Sequence, residues 1–230
     1  MSGPLVAPPL GDLPHGFFED GVGMGAAAST IAPEARVARL TQVHSPAALV
    51  VDGPFDEDAR PEADAMATAT PGLLLAIVTA DCAPVLLADR EARVVGAAHA
   101  GWRGAIGGVT DACIGAMISL GARADRITAA VGPCIAQRNY EVGPDFPEPF
   151  IEEDPANTAF FRDGASGRPH FDLPGYVAAR LKAAGIGRVW LSGEDTYASP
   201  RWPSYRRATH EGTSTDLRFY SMIGIAARDS

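Results

Sequence analysis

Residues 72–104 read GLLLAIVTADCAPVLLADREARVVGAAHAGWRG. Three apolar runs follow one another, Gly72 to Ala80, Ala83 to Ala88 and Arg93 to Ala98, and the polar stretch Asp89-Arg90-Glu91 turns the chain between the last two. Short runs rich in Leu, Ile and Val, bounded by turn residues, are predicted strands. None alternates apolar with polar residues, so these strands are expected in sheets covered on both faces. Cys82 ends the first run and His99 ends the third, seventeen residues later. Two side chains suited to metal binding, placed at strand ends, are either ordinary packing residues or are delivered to one site.

Working outward, Ile106, Val109, Cys113, Met117 and Leu120 recur at spacings of three and four. This predicts a helix from Gly104 that Gly121 ends. A strand is expected from Ile127 to Val131, stopped by Gly132-Pro133. Asp172, with Pro174 two residues on, is a helix start, and that helix should run through Val177, Leu181 and Ala184 to Gly185. Strands are expected at Arg188 to Ser192 and at Arg218 to Ala226. Upstream, Phe17 and Phe18 suggest a short strand, Gly21 to Gly25 reads as a flexible loop, and Arg39 to Val43 and Ala48 to Val51 read as strand pieces flanking His44. The segment DGPFDEDARPEAD, residues 52–64, reads as a charged loop. Strands and helices mix without a regular βαβ beat, so the fold expected is α+β, with layered sheets and outer helices. No break in composition divides the chain, and residues 1–230 are expected to form one domain.

The chain has 230 residues, 47% hydrophobic and 20% charged, with a net charge of −9. Length suffices for a sizeable core. The acidic balance argues against nucleic-acid or anionic-membrane partners, because no basic surplus exists to neutralise phosphates. A small anion held by one or two arginines is compatible with it. No apolar run approaches a membrane span, and the first residues lack the basic start and apolar stretch of a secretory signal. Three widely separated cysteines fit free thiols or a metal ligand in a reducing cytoplasm better than disulfides.

Five histidines are present: His15, His44, His99, His170 and His210. His44, in TQVHS, and His99, in AAHAGWRG, follow apolar stretches. With Cys82 they make a Cys-His-His set, which with one open position is the donor pattern of a catalytic zinc site. A structural zinc site would close with four ligands at paired short spacings, absent here. Spacing alone leaves packing roles open for all three. Cys113 belongs to the apolar face of its helix, and packing is the simpler role for Cys134. Asp81 would point away from Cys82 if the strand continued, and so reads as fixing the turn or supporting the site. Glu141, in YEVG, is a candidate acid or base, with a solvated glutamate as the plainer reading. The H-x-E pattern of zinc nucleobase deaminases is not met, because Ala100-Gly101 follows His99.

TQVHS, TADCAPVLL, AAHAGWRGA, GPCI…YEVG and SYRR resemble, in order, the motifs of the laccase-domain family. The likeness runs from about residue 38 to 208. Members were first described as multicopper polyphenol oxidoreductases and are now assigned purine nucleoside phosphorylase activity, with adenosine deaminase and methylthioadenosine phosphorylase side activities. The resemblance implies a layered α/β/β/α sandwich with mixed sheets and a zinc held by His44, Cys82 and His99. Cys82 and His99 are thereby expected to serve catalysis, and purine nucleoside and phosphate are the expected small-molecule partners. Arg103, four residues after His99, and Arg206, in SYRR, are the candidates for binding the anion. The sequence departs from the family pattern at Glu19-Asp20, where a Thr-Arg pair is usual, at Asp195-Thr196 for Cys-Thr, and at Trp202-Pro203, ahead of Ser204-Tyr205-Arg206. The Gly-Arg usual further on is absent from THEGTSTDLRFYS. Copper in the same triad is compatible with the donor set, but oxidase chemistry at several coppers needs more imidazoles than five. A cysteine hydrolase with Cys82 as nucleophile and His99 as base, or the peptidoglycan-editing role described for some members, are the other readings. Nothing in the sequence sets the oligomeric state.

Overall fold

The three central runs are strands, but they do not share a sheet. A computed structural model describes residues 3–165 and 167–227. In chain order its first elements are β1 (His15–Phe17), α1 (Met24–Ile31), β2 (Arg36–Ala38), β3 (Ala48–Val50), β4 (Ala65–Thr68), β5 (Leu73–Thr79), β6 (Ala83–Asp89) and β7 (Val94–Ala100). There follow α2 (Trp102–Gly107), α3 (Val109–Ser119), β8 (Thr128–Val131), α4 (Glu148–Glu153), β9 (Phe161–Asp163) and β10 (Pro169–Phe171). The last are α5 (Leu173–Ala183), β11 (Arg188–Leu191), α6 (Tyr205–Glu211) and β12 (Phe219–Gly224). One sheet has the order β1-β12-β5-β2, the other β11-β8-β6-β7-β4-β3, and β9 and β10 form a separate hairpin. Both larger sheets are mixed: β2 runs parallel to β5, β3 to β4 and β11 to β8, while the remaining neighbours are antiparallel.

Side-chain alternation explains why the central runs are apolar throughout. Leu73, Leu75 and Ile77 of β5 point into a core shared with Leu86 and Ala88 of β6 and Val95 and Ala97 of β7, which lies between the sheets. Leu74 and Ala76 face the other way, onto Ala27 and Ala28 of α1. Val85 and Leu87 face a third core with Val109, Cys113 and Met117 of α3 and Val177 and Leu181 of α5. Every central strand therefore buries both faces. The result is the expected layering of helix, sheet, sheet and helices.

The helix expected from Gly104 to Leu120 is two helices. It starts earlier, at Trp102, and breaks at Gly108, whose φ of 91° is left-handed. That conformation is cheap only for glycine. Gly121 ends α3 as expected: its N–H donates to the Ile118 carbonyl while the Ala122 N–H donates to Met117, the paired closure of a Schellman end. Asp172 caps α5 by accepting from the Gly175 N–H at 3.0 Å. The Gly21 to Gly25 loop expectation is corrected over its second half, where α1 begins at Met24. Small residues at 26–28 allow it to approach the sheet closely, a contact made by tertiary packing that local glycines obscure. The strand expected at Arg39 to Val43 lies earlier, at β2, and Thr41 keeps only an isolated bridge to Glu62.

Gly96 seats α3 on β7, because a Cβ there would stand 2.8 Å from Met117 Sδ and 2.9 Å from Cys113 Sγ. Gly96→Ala should lower unfolding free energy by about 1–3 kcal/mol through overpacking. Denaturant titration measures this, and a loss under about 0.5 kcal/mol would show that the helix is free to back away.

Candidate functional site

The chain leaves one sheet and enters the other between Thr79 and Ala83, and Cys82 lies in that crossover. Asp81 makes the turn with a φ of 82°, a left-handed conformation unusual outside glycine. The strand therefore does not continue through Asp81. Its carboxylate accepts from the Thr196 hydroxyl and from the Arg206 backbone N–H, each at 2.6 Å, tying the crossover to the first turn of α6. His99 lies near the end of β7, opposite Pro84 of β6, so antiparallel pairing brings it beside Cys82. His44 arrives from the loop between β2 and β3, itself at a φ of 62°.

Asp64 holds this arrangement, and sequence reasoning placed it in a charged loop. It stands just before β4 and is fully buried. One oxygen accepts from His99 Nδ1 at 2.7 Å and from the His44 backbone N–H at 3.0 Å. The other accepts from the N–H groups of Val43 and Ser45 and from the Ser45 hydroxyl, at 3.1, 2.7 and 3.0 Å. With Nδ1 committed to Asp64, the other ring nitrogen of His99 is the one available as a ligand. An acidic residue immediately ahead of an apolar strand is the signal that could have found it.

His44, Cys82 and His99 offer ligand atoms that all lie within 4.8 Å of one another. Cys82 Sγ is 3.9 Å from His44 Nε2, and the two imidazole centroids are 4.7 Å apart at 70°. A tetrahedral zinc with bonds of about 2.0–2.3 Å sets its ligand atoms roughly 3.3–3.7 Å apart, so this donor set fits one ion after small side-chain rotations. Gly101 makes the approach possible: a Cβ there would stand 2.9 Å from both Cys82 Sγ and His44 Cδ2.

Electrostatics agrees with a site shaped for positive charge. Burial raises the Cys82 thiol, but hydrogen bonds with His44 and His99 outweigh it and bring it down to about 6. Burial lowers His99, but the bond to Asp64 and the nearby Cys82 sulfur raise it to about 9. Asp64 is raised by burial and lowered further by His99 and the backbone N–H groups of Ser45 and Val43, to about 2. A proton on His99 thus sits between two anions, where a cation bound to the thiolate would replace it.

The three donors open on a cavity of about 580 Å³, within the usual range for small-ligand sites. Arg103, Arg206 and Arg218 line it, with Trp102, Tyr140 and Tyr205. The Arg103 guanidinium lies 4.5 Å from the Trp102 ring centroid and has no carboxylate partner among the described residues. Arg206 lies 5.5 Å from the Tyr140 ring and donates to the Glu141 carbonyl at 2.8 Å. Its neighbour Arg207 turns away and donates to the carbonyls of Thr196, Tyr197, Ser199 and Trp202, clamping that loop. Arg218, which sequence reasoning did not single out, donates to the carbonyls of Thr215 and Leu217.

Other candidates lie elsewhere. Glu141 does not line the cavity, and its carboxylate pairs with Arg168 at 3.6 Å. Cys113 and Cys134 are buried, and burial pushes both thiols up, Cys113 to about 12. The atypical Asp195 is buried and accepts from the Ala136 N–H and the Asn139 amide, bracing the turn that leads to Tyr140. The atypical Glu19 pairs with Arg201 at 3.3 Å.

Comparison with known proteins bears on this site. The family described as multi-copper polyphenol oxidoreductase laccase matches residues 24–225. A purine nucleoside phosphorylase of Deinococcus radiodurans is 42% identical over 192 residues, covering 84% of this chain and 71% of that protein. A purine nucleoside phosphorylase of Streptomyces griseus is 42% identical over 214 residues, 89% of this chain and 85% of that one. A solved Neisseria meningitidis structure superposes with a TM-score of 0.72 at 33% identity, covering 84% of this chain and 76% of that chain. YlmD of Geobacillus stearothermophilus shares the fold at a TM-score of 0.81 and 24% identity, covering 96% of this chain and 94% of that chain.

Asp64→Asn keeps the size but turns an amide toward backbone N–H groups. With zinc as the probe ion, it should weaken binding at the His44, Cys82 and His99 donors by about 10–100-fold. Competition against a chromophoric chelator measures this, and unchanged affinity would contradict the role given to Asp64.

Proposed function

The chain belongs to the multi-copper polyphenol oxidoreductase laccase family, and on that premise we propose that it is a zinc-dependent purine nucleoside phosphorylase with adenosine deamination as a side activity. The observation that carries this reading is a Cys-His-His donor set, braced by a buried carboxylate, at the floor of a cavity lined by three arginines. The relatives' printed activity supplies the substrate class: a nucleoside and phosphate. The family match takes in every strand of both sheets except β1, which supports one functional domain over 1–230. Three free thiols suit a reducing compartment such as the cytoplasm. Among the described residues no helix is long and apolar enough to cross a membrane.

His44, Cys82 and His99 would hold the metal, whose chemistry when bound is Lewis acidity and a water acidified to a pKa of about 7. A single three-donor site suits one zinc and not several coppers; one copper in the same donors is the variant reading. Arg103 and Arg206 hold phosphate, so that its oxygen meets the sugar carbon as the bond from that carbon to the purine nitrogen breaks and the electron pair leaves with the base. Both guanidiniums keep N–H groups free for this, and Arg206 is oriented through Asp81 at its backbone and the Glu141 carbonyl at its side chain. The indole of Trp102 gives the cavity an aromatic wall suited to a flat purine.

One alternative has its own observation. Without metal, Cys82, His99 and Asp64 form a line of nucleophile, base and orienting carboxylate, the constellation of a cysteine hydrolase. Metal dependence separates the two, since a metal-bound thiolate is not a free nucleophile.

Chromatography of products from adenosine and phosphate, on chelated and then zinc-reloaded protein, is the test. Release of adenine should require zinc, and Cys82→Ser or His99→Ala should lower kcat/KM by on the order of a hundredfold or more together with metal content. Full turnover by the chelated protein would overturn the metal reading.

A further inference from the structure

Tyr140 is one of several polar groups of the cavity without a protein partner among the described residues, with the Thr79 hydroxyl and the Arg103 guanidinium. It lines the cavity, and among the described residues its hydroxyl makes no hydrogen bond within the protein. A half-buried phenol on the cavity wall has one strong donor to give a ligand there. Its ring is held in place. Phe146 and Phe171 pack against it with centroids 6.3 and 5.9 Å away, and the Arg206 guanidinium lies 5.5 Å from its centroid.

The backbone is equally fixed. The Tyr140 N–H donates to the Gln137 carbonyl at 3.2 Å, and its carbonyl accepts from the Phe171 N–H at 3.0 Å. Asp195 holds the preceding turn through Ala136 and Asn139, at 3.2 and 2.8 Å. A side chain so constrained delivers its hydroxyl to a set position at little entropic cost.

We infer that the Tyr140 hydroxyl is a third donor of the phosphate site, hydrogen-bonding the same anion as Arg103 and Arg206 and setting its orientation toward the sugar carbon. This rests on the phosphorylase reading for its substrate, but the anion site itself is a separate claim. Burial first, and then the nearby Cys82 sulfur, push the phenol up from its ordinary range, with Arg206 and Arg103 opposing. Tyr140 therefore stays protonated at neutral pH and acts as a donor, with no proton transferred from it. Arg206 spends one nitrogen on the Glu141 carbonyl, and its remaining N–H groups can point at the ligand that Tyr140 contacts. Asp81, bound to the Thr196 hydroxyl and the Arg206 N–H, has its oxygens engaged and repels the anion less than a free carboxylate would.

The test measures binding of inorganic phosphate to zinc-loaded protein by calorimetry, beside the dependence of adenine release on phosphate and on adenosine. Tyr140→Phe keeps the ring, its packing and the arginine contact. It should weaken phosphate binding on the order of tenfold, raise KM for phosphate in step, and leave KM for adenosine and the zinc content within twofold. A double-mutant cycle with Arg206→Gln should show non-additive losses, since both groups serve one anion. Phosphate binding unchanged in Tyr140→Phe, a loss confined to adenosine, or strict additivity would each overturn the assignment. A native protein that binds phosphate yet cleaves no nucleoside would sink the phosphorylase reading alone, and the Phe comparison would still decide the role of Tyr140.

Discussion

A single buried carboxylate sets both halves of the His-Cys-His donor set. Asp64 accepts the His99 Nδ1 proton and, through the same two oxygens, gathers the backbone N–H groups of Val43, His44 and Ser45. The first bond selects which nitrogen of His99 faces Cys82; the others fold the loop that carries His44. A buried carboxylate without such partners would cost several kcal/mol, and here it is satisfied on every side. Burial then becomes an asset: in a weakly screened site, the negative charges of Asp64 and Cys82 act strongly on whatever cation lies between them. The same accounting explains the left-handed φ of 62° at His44. That strain is offset by the hydrogen bonds which define the loop.

The sandwich supplies the other constraint. The chain must cross from the four-stranded to the six-stranded sheet within the few residues between β5 and β6, and a turn that tight needs an unusual backbone at Asp81. The crossover residues Asp81 and Cys82 line the cavity, so backbone strain, a donor thiol and space for a ligand coincide there. Asp81 then couples the crossover to α6, and α6 brings Arg206. A ligand seated in the cavity would touch residues from both sheets, the first turn after β7 and α6, so the site exists only when the layers are assembled.

Much of the fold was legible because it rests on continuous apolar runs. β5, β6, β7, β8 and both ends of α5 follow from local pattern, since burial on two faces leaves no polar alternation to misread. α1 was not legible, because its glycines resemble a loop and its stability comes from Ala27 and Ala28 fitting against β5 and β12. The break at Gly108 was hidden because the apolar spacing continues across it. Which sheet each strand enters depends on the turn at Asp81, and no periodicity encodes that. At the site, His44, Cys82, His99, Arg103 and Arg206 carried chemistry visible in their residue types and motifs, and the fold brings the first three together. Asp64 and Arg218 did not stand out, as a carboxylate in an acidic stretch and an arginine in a polar one look like solvated surface. Their roles come from long-range pairing: Asp64 reaches the site through the β4–β7 ladder, and Arg218 through the position of β12.

Through its bond to Asp64, His99 holds its proton on Nδ1 and would present Nε2 to a bound metal. Imidazole nitrogen NMR on labelled, zinc-loaded protein reads this directly. His99 is expected to show a protonated, strongly hydrogen-bonded Nδ1 and a metal-bound Nε2. A metal on Nδ1, or a His99 whose ring is unchanged by zinc, would contradict it.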